Sequence, residues 1–81
     1  MTVRVQMFAL ARQLAKGEVV EVELHAQATL RDLRTALAAK APELAPLMPH
    51  LMFAINAEYA GDEATIPAGS EIACIPPVSG G

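Results

Sequence analysis

One amphipathic segment in the middle of the chain limits the folds that are open to it. Apolar residues recur along it at the spacing of one helical face: Leu30, Leu33, Leu37 and Ala41. Thr29 precedes the segment and Asp32 stands at the third helical position, which is a capping-box pattern, and Pro42 is expected to end the helix. Because 81 residues allow a single domain, strands of that same domain have to cover the stripe.

Period-two alternation on both sides of this helix predicts the strands. Residues 2–8 and 18–24 alternate before it, separated by a short helix over residues 9–16 that is expected to end with Gly17 in the left-handed conformation. After the main helix come a proline-punctuated connection, a strand over 51–56, short elements near Tyr59 and Ile66, and a last strand over 70–75. This order predicts an α+β fold in which one main helix crosses a mixed sheet. It is compatible with a β-grasp, whose first and last strands are parallel neighbours.

The residues after the last predicted strand form a separate feature. We expect a packed domain over residues 1–75 and an extended tail over 76–81, which reads Pro76, Pro77, Val78, Ser79, Gly80, Gly81. Two prolines fix φ and remove two backbone donors, so the segment should leave the sheet and project. Gly80 and Gly81 lack a Cβ, which lets a nucleophile approach the terminal carbonyl closely.

The group presented at this end is an α-carboxylate, which is ionised at neutral pH and is a poor acyl electrophile. Chemistry at Gly81 therefore needs activation, such as ATP-dependent adenylation by a separate enzyme. The Gly-Gly end taken alone favours the alternative of a solvated tail without chemistry. The two prolines directly after an apolar strand favour a carrier tail instead.

Composition excludes several other functions. The net charge is −3 and the six Lys and Arg residues are scattered, which argues against a nucleic-acid partner. No apolar run is long enough to span a bilayer, and the N-terminus has no secretory pattern, so we expect a cytoplasmic protein without a membrane partner.

The remaining candidate chemical groups are few. Cys74 alternates with Ile72 on the inner face, which favours a core position over a sulfur relay. His25 and His50 are isolated in the sequence, so no metal site is expected. Because no catalytic triad or phosphate-binding loop is present, catalytic groups must come from partners, and the chain should have no catalytic site of its own.

Strand parity predicts where such a partner docks. Phe8 falls on the face of the first strand opposite its inward residues, and Ile75 does the same on the last strand. If the two strands are neighbours, both side chains lie on the helix-free face at the root of the tail, with Arg12 and Tyr59 near them. Either a loop or a partner covers this apolar patch, and we predict a partner interface formed by Phe8, Arg12, Tyr59 and Ile75.

Three stretches resemble the small, sulfur-carrying subunits of molybdopterin synthases, and the resemblance extends over the whole chain. They are residues 69–73 followed by 76–81, the Phe8-Ala9-x-x-Arg12-x-Leu14 pattern, and Ile55-Asn56. The resemblance implies a ubiquitin-like β-grasp fold and a role in molybdenum cofactor biosynthesis. Cys74 departs from the aromatic or aliphatic residue that is usual at its position.

The resemblance also implies a mechanism and a set of partners. An E1-like adenylyltransferase would use ATP to adenylate Gly81, and a persulfide protein would supply the sulfur that converts it to a thiocarboxylate. The large synthase subunit, in a heterotetramer, would receive the tail and transfer the sulfur to cyclic pyranopterin monophosphate. The chain itself would bind no cofactor.

Other functions remain open at this point. A thiamine-pathway sulfur carrier also ends in Gly-Gly, but such proteins tend to be shorter, lack the Pro-Pro pair and join the first two strands without a helix. A ubiquitin-like modifier would conjugate Gly81 to lysines. A binding module would use the tail without chemistry.

Overall fold

The computed structural model of the chain describes residues 1–77, which form one mixed sheet with helices packed on one side. The elements are β1 (Thr2–Met7), α1 (Ala9–Ala15), β2 (Val19–Glu23), α2 (Leu30–Lys40), β3 (Met52–Ile55), β4 (Glu58–Ala60) and β5 (Ile72–Ile75). Two 3-10 turns, Pro42–Leu44 and Met48–His50, connect α2 to β3. The strand order is β2-β1-β5-β3-β4, and β1 and β5 are parallel while the other neighbours are antiparallel. The predicted fold is confirmed, with the first and last strands adjacent at the centre.

The core lies between α2 and the inner face of the sheet. Leu30, Leu33 and Leu37 are fully buried, as the helical stripe predicts. Inward residues of the strands meet them: Val3, Val5, Met7, Val22, Phe53, Ile72 and Cys74. Because truncating one such leucine to alanine typically costs about 2–5 kcal/mol, this layer supplies much of the stability of a domain of this size.

The start of α2 is fixed by the predicted capping box. The Asp32 amide donates to Thr29 Oγ1 at 3.3 Å, and the Thr29 amide donates to the Asp32 carboxylate at 2.9 Å. The helix ends at Lys40, and Pro42 opens the first 3-10 turn.

Arg34 of α2 holds the long connection against the helix. Its guanidinium donates to Asp62 Oδ1 at 2.8 Å and to the carbonyl oxygens of Met48 and Leu51 at 2.9 and 2.7 Å. It also lies 4.8 Å from the ring centroid of Phe53. These bonds fix the path into β3, which brings β3 alongside β5.

The end of α1 differs from the prediction. Lys16, and not Gly17, has the left-handed conformation, with φ 58°. The Lys16 amide donates to the Gln13 carbonyl and the Gly17 amide to the Arg12 carbonyl, each at 3.3 Å, which is a Schellman arrangement. The chain has to reverse by Glu18, whose carbonyl accepts from Met7 at 2.8 Å, so the left-handed residue comes one position earlier.

Candidate functional site

The face of the sheet opposite α2 carries an apolar groove. The register places Gln6, Ala73, Ala54 and Tyr59 in one row across β1, β5, β3 and β4. The two alanines put small side chains in the middle of the row, and larger side chains stand around them. The result is a groove of about 410 Å³ whose apolar and aromatic lining includes Phe8, Ala54, Ala57, Tyr59, Ala73 and Ile75.

Phe8 and Ile75, predicted to share this face, line the same groove. Phe8 follows β1 directly, has an extended backbone at the N-cap position of α1, and donates its amide to the Cys74 carbonyl at 3.2 Å. This bond continues the pairing of β1 with β5 by one residue. The Phe8 side chain remains 42% exposed, whereas Ile75 is half-buried.

The other two predicted interface residues lie in different surroundings. Tyr59 of β4 lines the groove and is 63% exposed. Arg12 of α1 is not part of the groove lining; its guanidinium lies 3.4 Å from the Glu18 carboxylate, and both side chains are exposed. The structure thus brings together three of the four predicted residues.

Sequence reasoning missed the part of this face that β3 provides. Met52 pairs with Ile75 and is 48% exposed, and Ala54 forms the floor of the groove. Residues 51–55 are all apolar, so their sequence has no alternation from which to assign the faces. Only the pairing of β3 with β5 settles which side chains point outward.

The tail begins at the end of β5. Pro76 is buried, continuing the inward parity of Ile72 and Cys74, and Pro77 is exposed. Pro76 therefore packs with the domain, although the sequence placed the boundary before it. The predictions for Val78, Ser79, Gly80 and Gly81 concern residues outside the described range.

Cys74 is a core residue of the central strand. It is fully buried, and this burial raises the pKa of its thiol to about 11. The thiol therefore stays protonated at neutral pH, which makes it a poor nucleophile. The interpretation of Cys74 as a small hydrophobic residue agrees with this position.

His25 is less isolated than its sequence context indicates. Its Nε2 lies 3.2 Å from Asp32 Oδ2, because residues 25–29 bring the ring back to the capped end of α2. Both side chains are substantially exposed. Within residues 1–77, no three His, Cys, Asp or Glu side chains are grouped closely enough to hold a metal ion, and no helix is long and apolar enough to cross a membrane.

Comparison with known proteins gives matches that extend over the whole chain. The model of the ThiS family matches residues 5–81. The molybdopterin synthase sulfur carrier subunit of Chlamydomonas reinhardtii is 36% identical over 83 residues, with 100% of each chain covered. The subunit of the same name from Caenorhabditis briggsae is 37% identical, covering 99% of this chain and 98% of the relative. Among solved structures, SAMP1 from Haloferax volcanii, a small archaeal modifier protein, has a TM-score of 0.87 at 29% identity, with 100% of both chains covered.

Proposed function

Because this chain belongs to the ThiS family, we propose that it is the sulfur carrier subunit of a molybdopterin synthase and carries sulfur on the carboxyl group of Gly81. The observation that carries the proposal is the extent of the likeness: the family match includes residue 81, and the alignment covers 100% of the Chlamydomonas subunit. The curated relatives named above carry the molybdopterin name, which favours this role over the thiamine-pathway alternative.

The chemistry at Gly81 requires two activating partners. An E1-like adenylyltransferase lets the carboxylate attack the α-phosphate of ATP. The products are an acyl-adenylate and pyrophosphate. The terminal sulfur of a persulfide protein then attacks the acyl carbon, and AMP leaves with the electrons of the broken C–O bond. A thiol cleaves the resulting acyl disulfide, and the products are the thiocarboxylate and a disulfide of the donor.

The domain supports this chemistry through the strand that precedes the tail. β5 is hydrogen-bonded on both sides, to β1 and to β3, so the residues before Pro77 have a rigid base. Cys74 lies within this strand, but its raised pKa and full burial make it unsuitable for receiving sulfur. The reacting group of the chain is therefore Gly81, and the catalytic groups belong to the partners.

The groove gives these partners a surface next to the tail. We propose that the large synthase subunit docks on the groove through Phe8, Tyr59 and Ile75, with Arg12 at the periphery. Exposed aromatic side chains around a small-residue floor are typical of the anchors that provide most of the binding energy at interfaces. Docking there would fix the root of the tail beside the partner's cleft.

Reconstitution with the activating enzyme, a persulfide donor, the large subunit and cyclic pyranopterin monophosphate tests the proposal. Deletion of Gly81 should abolish sulfur transfer and leave the melting temperature unchanged, since a chain end contributes little packing. Gly80→Phe should hinder adenylation or insertion. Gly61→Phe is the matched control, because a Cβ at Gly61 meets no atom within 4 Å. Molybdopterin formation by the protein that lacks Gly81 would refute the proposal.

Protein modification is the second candidate function, and the likeness to SAMP1 favours it. A modifier uses the same adenylation, but the nucleophile is a lysine amine and the product is an isopeptide bond. The chain has no Lys or Arg after Lys40, so trypsin would leave residues 41–81 attached to a modified lysine. Host-protein peptides that carry this branch on a lysine would support this function. If Gly81 is found as a thiocarboxylate and in no isopeptide bond, the carrier role stands.

A further inference from the structure

From the charge distribution around the groove, we infer that the partner surface filling it presents a lysine or arginine to the carboxylate of Glu71. This inference rests on the proposed function, because the large synthase subunit is taken as the partner. It adds the charge of the contacting group and its place on the domain.

Glu71 is the charged member of the groove lining within residues 1–77. It immediately precedes β5 and shares the outward parity of Ala73 and Ile75, so it lies at the end of the groove away from the tail. Asn56 holds its backbone on both sides: the Glu71 amide donates to Asn56 Oδ1 at 3.0 Å, and the Asn56 amide donates to the Glu71 carbonyl at 2.8 Å. The position of Glu71 on the groove rim is therefore fixed.

The carboxylate of Glu71 is exposed and has no ion-pair partner among the described residues. The register puts Arg4 next to it, one residue before the pairing of Val5 with Ile72. However, the Arg4 guanidinium is directed to the other side, 3.4 Å from the Glu21 carboxylate.

Filling the groove would remove water from this carboxylate. The apolar contacts of the partner favour docking, but a carboxylate that loses water without gaining a partner opposes it. A surface that fits the groove therefore has to supply a cation or strong donors at this point. Lysine or arginine satisfies that requirement with one side chain.

The surrounding charges favour the same partner chemistry. Glu21 and Glu23 of β2 also point outward on this face, and Arg4 is the one basic residue within β1 and β2. A second copy of this chain would bring the same acidic end to the interface, which disfavours self-association. A basic partner is attracted to it, and such complementarity speeds association.

Two contacts would then orient the partner: its cation at Glu71 and its cleft at the root of the tail beside Ile75. Glu71 and Ile75 are separated by four residues of extended chain, or about 13 Å. The cation of the partner should therefore lie about that far from the point where its cleft receives the tail.

The test uses the purified large subunit from the same organism and measures affinity by calorimetric titration. Glu71→Gln keeps the shape of the side chain and removes its charge, so binding should weaken about tenfold, with a smaller loss at high salt. Glu43→Gln is the matched control, because Glu43 is exposed on the 3-10 turn after α2 and lies outside the groove. This variant should bind the large subunit with the affinity of the wild type.

Unchanged or tighter binding of Glu71→Gln would overturn the inference, because a desolvated carboxylate without a cation is better replaced by an amide. Repeating the exchange in an Arg4→Gln background separates a partner cation from a reoriented Arg4. The loss should persist there, and its disappearance would also overturn the inference. A wild-type chain that fails to bind the large subunit would overturn the proposed function as well, whereas normal binding with an inert Glu71 overturns this inference alone.

Discussion

Two adjacent residues with positive φ make the turn between β3 and β4, beside the groove. Asn56 has φ 50° and Ala57 has φ 70°. Two left-handed residues in a two-residue hairpin are typical of a type I′ turn, in which Asn-Gly is the preferred pair. Ala57 therefore adopts a conformation in which its Cβ is crowded, at a cost of about 1–2 kcal/mol.

The first prediction is that Ala57→Gly raises the free energy of unfolding by about 0.5–1 kcal/mol, since relief of the crowding exceeds the added freedom of the unfolded chain. Urea denaturation measures the change. Ala68→Gly is the control, because Ala68 is an exposed turn residue outside the positive-φ set and should lose stability or stay unchanged. If both variants change stability equally, the strain at Ala57 is absent.

Single residues also limit what the sequence could predict. Cys74 and Phe8 were assigned to opposite faces from parity alone, and the structure gives a buried thiol and an exposed ring. The left-handed residue at the end of α1 was assigned to Gly17 because glycine has the lowest cost there. The reversal into β2 places it at Lys16, which the local sequence does not reveal.

At the scale of elements, the start of α2 depends on one ionised side chain. The amide of Thr29 lowers the pKa of Asp32 by hydrogen bonding to its carboxylate, and the Thr29 hydroxyl and His25 add to the effect, while partial burial opposes it. Because the folded pKa lies below the ordinary value of 3.8, the carboxylate stabilises the fold above pH 3.8. That contribution is lost as the pH falls through the folded pKa.

The second prediction follows from the lowered pKa of Asp32. Asp32→Ala should lower stability at pH 7, because the capping box loses its carboxylate, and the difference from the wild type should be smaller at pH 3. Denaturant titrations at the two pH values measure it, with Glu43→Ala as the control for loss of an exposed carboxylate. A difference that is the same at both pH values would mean that the charge of Asp32 does not cap α2.

Elements with a clear hydrophobic period were predictable, and the others were not. The predicted bounds of β1 and β2 came from their alternation, and those of α2 came from its leucine stripe and cap. They lie close to the observed bounds. The run from Leu51 to Ile55 has no period, so the sequence could predict a strand there but not the outward direction of Met52 and Ala54. For this reason the floor of the groove became visible only with the sheet order.

At the scale of the whole molecule, the two faces of the sheet have different surroundings. The α2 side is the core, and the opposite side carries the groove next to the last described residue of the tail. The resemblance of the chain to molybdopterin synthase sulfur carriers predicted the family, and the ThiS family match over residues 5–81 together with the relatives of that name confirms it. Which residues the partners contact depends on the other chains, so it remains a prediction.

The third prediction concerns the groove as a docking surface. Phe8→Ala and Ile75→Ala should each weaken binding to the large subunit by at least about tenfold, with a small loss of stability, because both side chains lie on the solvent side of the sheet. Leu10→Ala is the control, since Leu10 is 46% exposed on α1 and is not part of the groove lining. A melting temperature that collapses together with the affinity would assign Phe8 and Ile75 to the core.

Intact mass spectrometry of the protein isolated from its native host tests the central claim most directly. We expect part of the protein to carry sulfur in place of one oxygen, and fragmentation to assign the sulfur to Gly81. Alkylation should remove this species by capping the thiocarboxylate, and it should be absent from cells that lack the E1-like enzyme. Sulfur attached to Cys74, or a Gly81 that occurs only as a carboxylate in cells actively making molybdopterin, would contradict the claim.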